Sequence, residues 1–183
     1  GERLWSQEIE SFSGGPGADE KLVVAGTIDG AVIALDAERG SEVWRARVSS
    51  EVISAPVVAG DTVIVVSNDG RTPALSAVDG KQRWAVDRGV PLLSLRGNAS
   101  PIVLADRVIV AGANGKVSAL SLSDGRQIWE QAVGVGEGKT DLERMVDVDG
   151  RFLLSEGKGL QAMGLEPGQG VVDSLFVHDA DFP

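Results

Sequence analysis

The sequence predicts an all-β fold, a partial β-propeller of antiparallel blades about forty residues long with four or so blades present, and three observations carry that prediction. Trp5, Trp44, Trp84 and Trp129 are spaced 39, 40 and 45 residues apart, and each follows a glycine by four positions, at Gly1, Gly40, Gly80 and Gly125. Around the last three the match widens to a phrase with fixed offsets: Asp29-Gly30, Ala34-Leu35, Gly40, Trp44; Asp69-Gly70, Ala74-Leu75, Gly80, Trp84; Asn114-Gly115, Ala119-Leu120, Gly125, Trp129. A β-rich run lies upstream of each phrase, at Leu22 to Ala25, Thr62 to Val66 and Arg107 to Val110, and Pro56 and Pro101 precede the second and third runs. Recurrence at a fixed period marks a repeat architecture.

Each unit reads as an antiparallel meander. A strand ends in Asp-Gly or Asn-Gly, pairs that reach the positive φ angles of a two-residue hairpin turn, and a second strand such as Ala31 to Leu35 returns. A turn at Gly40, Gly80 or Gly125 then leads into a third strand that carries the Trp. One small sheet cannot bury both faces, so neighbouring copies must stack, and the tryptophans are expected to fill the joints between them. Helix-pair repeats of similar length would need a 3.6-residue apolar period, which is absent. The units are placed at about 18–48, 49–88 and 89–133, with a degenerate copy at 134–172 and a divergent tail at 173–183. In the degenerate copy Ala162-Met163 and Gly168 keep their offsets and Val172 falls in the tryptophan position. Gly14-Gly15-Pro16-Gly17 reads as a connector, because no Lys-Ser/Thr follows to make a phosphate loop.

Composition narrows the function. A net charge of -10 and the lack of any basic run argue against nucleic acid as a partner. The longest apolar stretches are far short of the roughly 20 residues a membrane helix needs. With zero cysteines, thiolate metal sites, a cysteine nucleophile and a disulfide framework are all excluded within these residues. His178 is the only histidine and lies in the divergent tail, so neither a histidine triad nor a histidine metal cluster has a supporting motif.

Two segments break the regularity of the repeat. The period lengthens from 40 to 45 where Pro91-Leu92-Leu93-Ser94-Leu95-Arg96-Gly97 occurs, and insertions in repeat proteins tend to gather on one face, often the binding face. Three leucines beside one planar cation suit an interface anchor, although the same leucines would also serve as a small satellite core under the loop. The second segment, Asp141 to Asp149, is acidic and is open to reading as a solvated turn region.

The phrase Ala-Leu-(Asp/Ser)-x-x-x-Gly-x-x-x-Trp resembles the repeat of pyrroloquinoline-quinone-type propellers, a superfamily that includes proteins binding no quinone. Within it the two irregular segments resemble the interaction loops of the BamB family of outer-membrane assembly lipoproteins, over roughly residues 1 to 150. That resemblance implies a non-catalytic scaffold of the β-barrel assembly machinery, sited on the periplasmic face of the outer membrane and tethered by lipid on an N-terminal cysteine, a residue type this sequence lacks. It implies that Leu92, Leu93, Leu95, Arg96, Asp147 and Asp149 contact the POTRA domains of the barrel protein BamA, with unfolded outer-membrane proteins as further partners. Arg96 is equally able to pair with Asp147 or Asp149 within the chain. A propeller of that family has eight blades, so this chain corresponds to about half of one, and self-association is expected as a way to cover its open blade faces.

The rival reading is a quinoprotein dehydrogenase or another propeller that binds a small ligand. A quinoprotein site needs a calcium ion beside a catalytic carboxylate, and no calcium loop is recognisable; the vicinal disulfide of those enzymes is impossible without cysteine. Asp61 and Asp106 are accounted for as turn residues. No cofactor is therefore expected, and the sequence favours a binding protein over an enzyme.

Overall fold

The computed structural model describes residues 3–89, 99–112, 116–132, 152–155, 159–164 and 172–177. Blade I runs in the order β1 (Phe12–Ala18), β2 (Leu22–Thr27), β3 (Ala31–Asp36) and β4 (Glu42–Arg47), each strand antiparallel to the next. Blade II repeats this with β5 (Val57–Ala59), β6 (Thr62–Ile64), β7 (Arg71–Ser76) and β8 (Gln82–Asp87). Blade III does so with β9 (Ile102–Leu104), β10 (Arg107–Gly112), β11 (Lys116–Ser121) and β12 (Gln127–Ala132). A fourth sheet pairs β13 (Phe152–Ser155), β14 (Gly159–Gly164) and β15 (Val172–Val177). The fold is a partial β-propeller. Its first strands contact one another, β5 touching both β1 and β9, so the axis lies on the side of these strands.

The repeated phrase encodes the joint between blades. At its centre the register slips between Ala34 and Leu35, so that Ala34 stands opposite Trp44 and Leu35 opposite Glu42. The slip recurs at Ala74/Leu75 and Ala119/Leu120. Such a bulge bends the strand and re-aims its side chains. Each indole lies over the next blade's turn and donates its N–H there: Trp5 to the Ala37 carbonyl (2.9 Å), Trp44 to Ala77 (2.8 Å), Trp84 to Leu122 (2.9 Å). The turn glycines under these rings have φ of +68°, +70° and +73°, and a Cβ on Gly80 would come within 2.6 Å of the Trp44 ring. Glycine is thus required twice, for the left-handed backbone and for the room. Trp5, Trp44 and Trp84 are packing anchors, as expected.

Apolar side chains fill the joints. Leu22, Val24, Val32, Ala34 and Trp44 of blade I meet Val63, Val65 and Leu75 of blade II. On the other side of blade II, Ile64, Val66, Ala74 and Trp84 meet Val108, Val110 and Leu120 of blade III. Alternation along each strand sends successive residues into opposite joints, which is why the strands read as nearly continuous apolar runs. Pro73 gives β7 one position without a donor; Val65 N–H still reaches the Pro73 carbonyl (3.1 Å), but β6 pairs over only three residues.

Three readings of the sequence need correction. The Gly14-Gly15-Pro16-Gly17 stretch is not a connector but most of β1, bulged between Ser13 and Pro16, and it extends blade I upstream of residue 18. Glycine is needed there because β1 lies backbone against backbone on Ser54 to Pro56 of the segment leading into the next blade, where a Cβ on Gly17 would overlap the Pro56 carbonyl. At the other end, residues 173–177 continue a strand of the fourth sheet. Its register sets Leu175 opposite Ala162, so Leu175 and not Val172 takes the tryptophan position, thirteen residues after the alanine where Trp44 stands ten after Ala34.

Candidate partner-binding face

The end of the propeller from which the blade-to-blade connections leave is fixed by the pairing of each outer strand. The last residues of β4, β8 and β12 pair with the first residues of β3, β7 and β11: Arg47 with Ala31, Asp87 with Arg71, Ala132 with Lys116. Each connection therefore starts beside the Asp-Gly or Asn-Gly hairpin, at one common end of the molecule. These connections span residues 48–56, 88–101 and 133–151. The first is bound to both blades it joins: the buried Val52 donates its N–H to the Thr27 carbonyl (3.1 Å), and Asn68 N–H donates to Glu51 (2.8 Å). Leu92, Leu93, Leu95 and Arg96 belong to the second connection, and Asp147 and Asp149 to the third. All six lie outside the described residues. What the described residues show is that the two connections carrying them leave from the same end of adjacent blades.

The chemistry at the roots of these connections repeats in place but not in sign. In blade I the Thr27 hydroxyl donates to Asp29 (2.6 Å), and Arg47 at the end of β4 donates to the Asp29 carbonyl and carboxylate (2.9 and 3.2 Å). The Thr27 hydroxyl, assisted by Arg47, holds the Asp29 carboxyl below the usual carboxylate range. In blade II the polarity is reversed: Arg71 on β7 donates to Asp87 at the end of β8 (3.1 Å), and Asp87 also accepts the Gly89 N–H (3.0 Å). That backbone N–H first, and Arg71 after it, keep the Asp87 carboxyl low. In blade III, Lys116 on β11 donates to Glu130 on β12 (2.6 Å). The three ion pairs, Arg47–Asp29, Arg71–Asp87 and Lys116–Glu130, lie at the surface and fix turn geometry more than they add stability.

One root residue was not singled out from the sequence. Arg88 turns its guanidinium into the joint between blades II and III, donating Nη1 to the Ala111 carbonyl (3.0 Å) and Nη2 to the Thr72 hydroxyl (3.1 Å). Among the described residues its buried Nε has no hydrogen-bond partner. Desolvation pushes the Arg88 pKa down, against the field of Glu130. The signal that would have found it lies in the repeat: four residues after Trp44 stands Val48, and four after Trp84 stands Arg88.

A concavity of about 410 Å³ opens on blade I, between Ile33, Leu35 and Arg45 and the segment Gln7 to Ser11. Of its acidic groups, Glu42 is paired with Arg45 (2.8 Å). Among the described residues no group of three or more His, Asp or Glu is placed to hold a metal ion.

Residues 1–168 match the family model described as outer membrane protein assembly factor BamB. The BamB of Xanthomonas campestris pv. campestris is 54% identical over 145 residues, covering 79% of this chain and 36% of the relative. Among solved structures, BamB from Moraxella catarrhalis is similar with a TM-score of 0.78 and 33% identity, over 82% of this chain and 46% of that one. The quinohemoprotein alcohol dehydrogenase of Comamonas testosteroni is similar in fold, with a TM-score of 0.55 and 22% identity over 66% of this chain and 21% of that one. The chain thus spans less than half the length of the relatives it matches.

Proposed function

The chain belongs to the BamB family of outer membrane protein assembly factors, and on that premise we propose that it is a non-catalytic docking scaffold whose two long connections bind the POTRA domains of BamA. The observation that carries this reading is the common origin of the two connections. Residues 88–101 and 133–151 leave the same end of neighbouring blades, so one partner surface is able to meet both. Leu92, Leu93 and Leu95 supply the apolar centre of the contact, Arg96 a planar cation beside it, and Asp147 and Asp149 an acidic counterpart from the next blade. The strands beneath these loops form a rigid platform, the arrangement in which loop residues become binding residues. The work is done on the periplasmic side of the outer membrane, where unfolded outer-membrane proteins are a second class of partner.

The test is a binding titration of the chain against the isolated POTRA region of a BamA protein, alongside the double variant Leu93→Ala with Arg96→Ala. Circular dichroism establishes that both proteins fold alike. The reading predicts a loss of at least about tenfold in affinity, in line with truncation of two central interface residues. A folded wild-type chain that shows no POTRA binding would turn attention to the small-ligand reading.

A further inference from the structure

A protein interface of standard size takes about 800 Å² and roughly 20 to 30 residues from each partner. The six residues assigned to partner contact fall short of that, so a partner seated on them also meets the platform around them. At the connection end this platform is continuous from blade II to blade I. Asn68 N–H, in the β6 to β7 turn, donates to the Glu51 carbonyl of the first connection (2.8 Å), and Val52 N–H of the same connection donates to the Thr27 carbonyl (3.1 Å), where the β2 to β3 turn begins. Ile28 stands in that turn and donates its own N–H to the Ser11 carbonyl (2.9 Å), beside Phe12 at the start of β1. Both side chains face solvent, Ile28 at 57% exposure and Phe12 at 46%. The turn itself does not ask for an apolar residue. In blade I the Thr27 hydroxyl donates to Asp29, in blade II the Ser67 hydroxyl donates to Asp69, both at 2.6 Å, and the residue between them is Ile28 in one and Asn68 in the other. In the sequence of blade III the same position is Ala113. Other exposed large apolar residues among the described ones stand elsewhere: Val43 and Ile128 on the outer strands of different blades, Val78 at the opposite end. Beside Ile28 the surface Asp29–Arg47 pair supplies a polar border, and an apolar centre inside a polar border is how interface patches are built.

We propose that Phe12 and Ile28 form a second apolar contact for the POTRA region, so that one partner lies across the connection end from blade I to the second and third connections. The inference rests on the docking function proposed above and adds to it the blade that the partner reaches.

The experiment titrates the POTRA region against wild type, Ile28→Asn, Phe12→Thr, the pair combined, and Val78→Asn, with the Leu93→Ala, Arg96→Ala variant alongside and thermal melts of each. Ile28→Asn installs the residue that blade II already carries in the same turn, so it keeps the wild-type melt. Its affinity falls at least about fivefold, and that of the combined variant at least about twentyfold, whereas Val78→Asn stays within about twofold of wild type. Should a variant at 12 or 28 melt early, a photoreactive group at position 28 of the otherwise unchanged chain takes its place. Crosslinking from 28 as well as from 93 upholds the proposal, and crosslinking from 93 alone overturns it. Affinities within about twofold of wild type for the variants at 12 and 28, while the loop variant loses binding, overturn it and leave the docking function standing. An equal loss in Val78→Asn overturns it too, since any exposed apolar residue would then serve. A folded wild type that binds no POTRA domain removes both readings together.

Discussion

The joint between blades I and II and the joint between blades II and III are built from the same phrase and finished differently. In both, a tryptophan lies over a left-handed glycine, donates to a turn carbonyl and stands opposite an alanine across a bulge. Four residues later they diverge: Val48 opens a connection hydrogen-bonded along its length to both blades, whereas Arg88 opens the longer connection. The repeated half of the joint is therefore the part that makes one blade hold the next. The half that varies is where the chain acquires a surface unlike its neighbours.

If the repeated half carries the stability, its two copies respond alike. Trp44→Ala and Trp84→Ala, at 7% and 9% exposure, are each expected to lower unfolding free energy by about 3 to 5 kcal/mol, and by amounts within about 1 kcal/mol of each other, in chemical denaturation. A large gap between them would show that the joints are not equivalent. Gly80→Ala follows at about 2 to 3 kcal/mol, since it combines left-handed strain with displacement of the Trp44 ring. Gly60→Ala sharpens the point: Gly60 also has positive φ, but a Cβ there meets nothing within 4 Å, so only the backbone cost of about 1 kcal/mol remains. The matching turn of blade III already has Ala105 at φ +50°, and Ala105→Gly is expected to raise stability by up to about 1 kcal/mol, read as a shift in the denaturation midpoint.

The smallest effect is a pH dependence at the opposite end of blade II. Lys81 first, then the Ser76 hydroxyl, lower the Asp79 carboxyl to about 2. Because the folded pKa lies below the unfolded one, the unfolded chain takes up the proton first on acidification. The contribution is complete above the ordinary carboxylate range and is lost as pH falls toward about 2. An NMR titration of the Asp79 carboxyl should show a midpoint near that value, and Asp79→Asn should remove this part of the acid dependence. A midpoint at the ordinary aspartate value would mean that the Lys81 contact is not held in solution.

How much of this was legible in the sequence follows from which forces each residue answers to. Trp, Gly and the Ala-Leu pair are set by contacts that recur in the described joints, so their spacing exposed the blades and the packing role of the indoles. The first strand of blade I was not legible. Gly14, Gly15, Pro16 and Gly17 have the local chemistry of a loop, and only the close passage of Ser54 to Pro56 makes a strand of small residues necessary. Arg88 was hidden for a related reason: a lone arginine after a strand looks like solvated surface, and its meaning depends on Thr72 and Ala111, brought to it by two different blades. The six residues assigned to partner contact were found by resemblance and by the lengthened period, and what the described structure adds is the shared end from which their connections start.

The claim that one end of the propeller is the docking face is tested most directly by site-specific photo-crosslinking to the POTRA region. The photoreactive group would be placed in turn at position 93, at position 147 and at Val78, which is 76% exposed in the β7 to β8 turn at the opposite end. The account predicts crosslinks from 93 and 147 and none from 78. Crosslinking from 78, with 93 and 147 silent, would put the partner on the other end and contradict it.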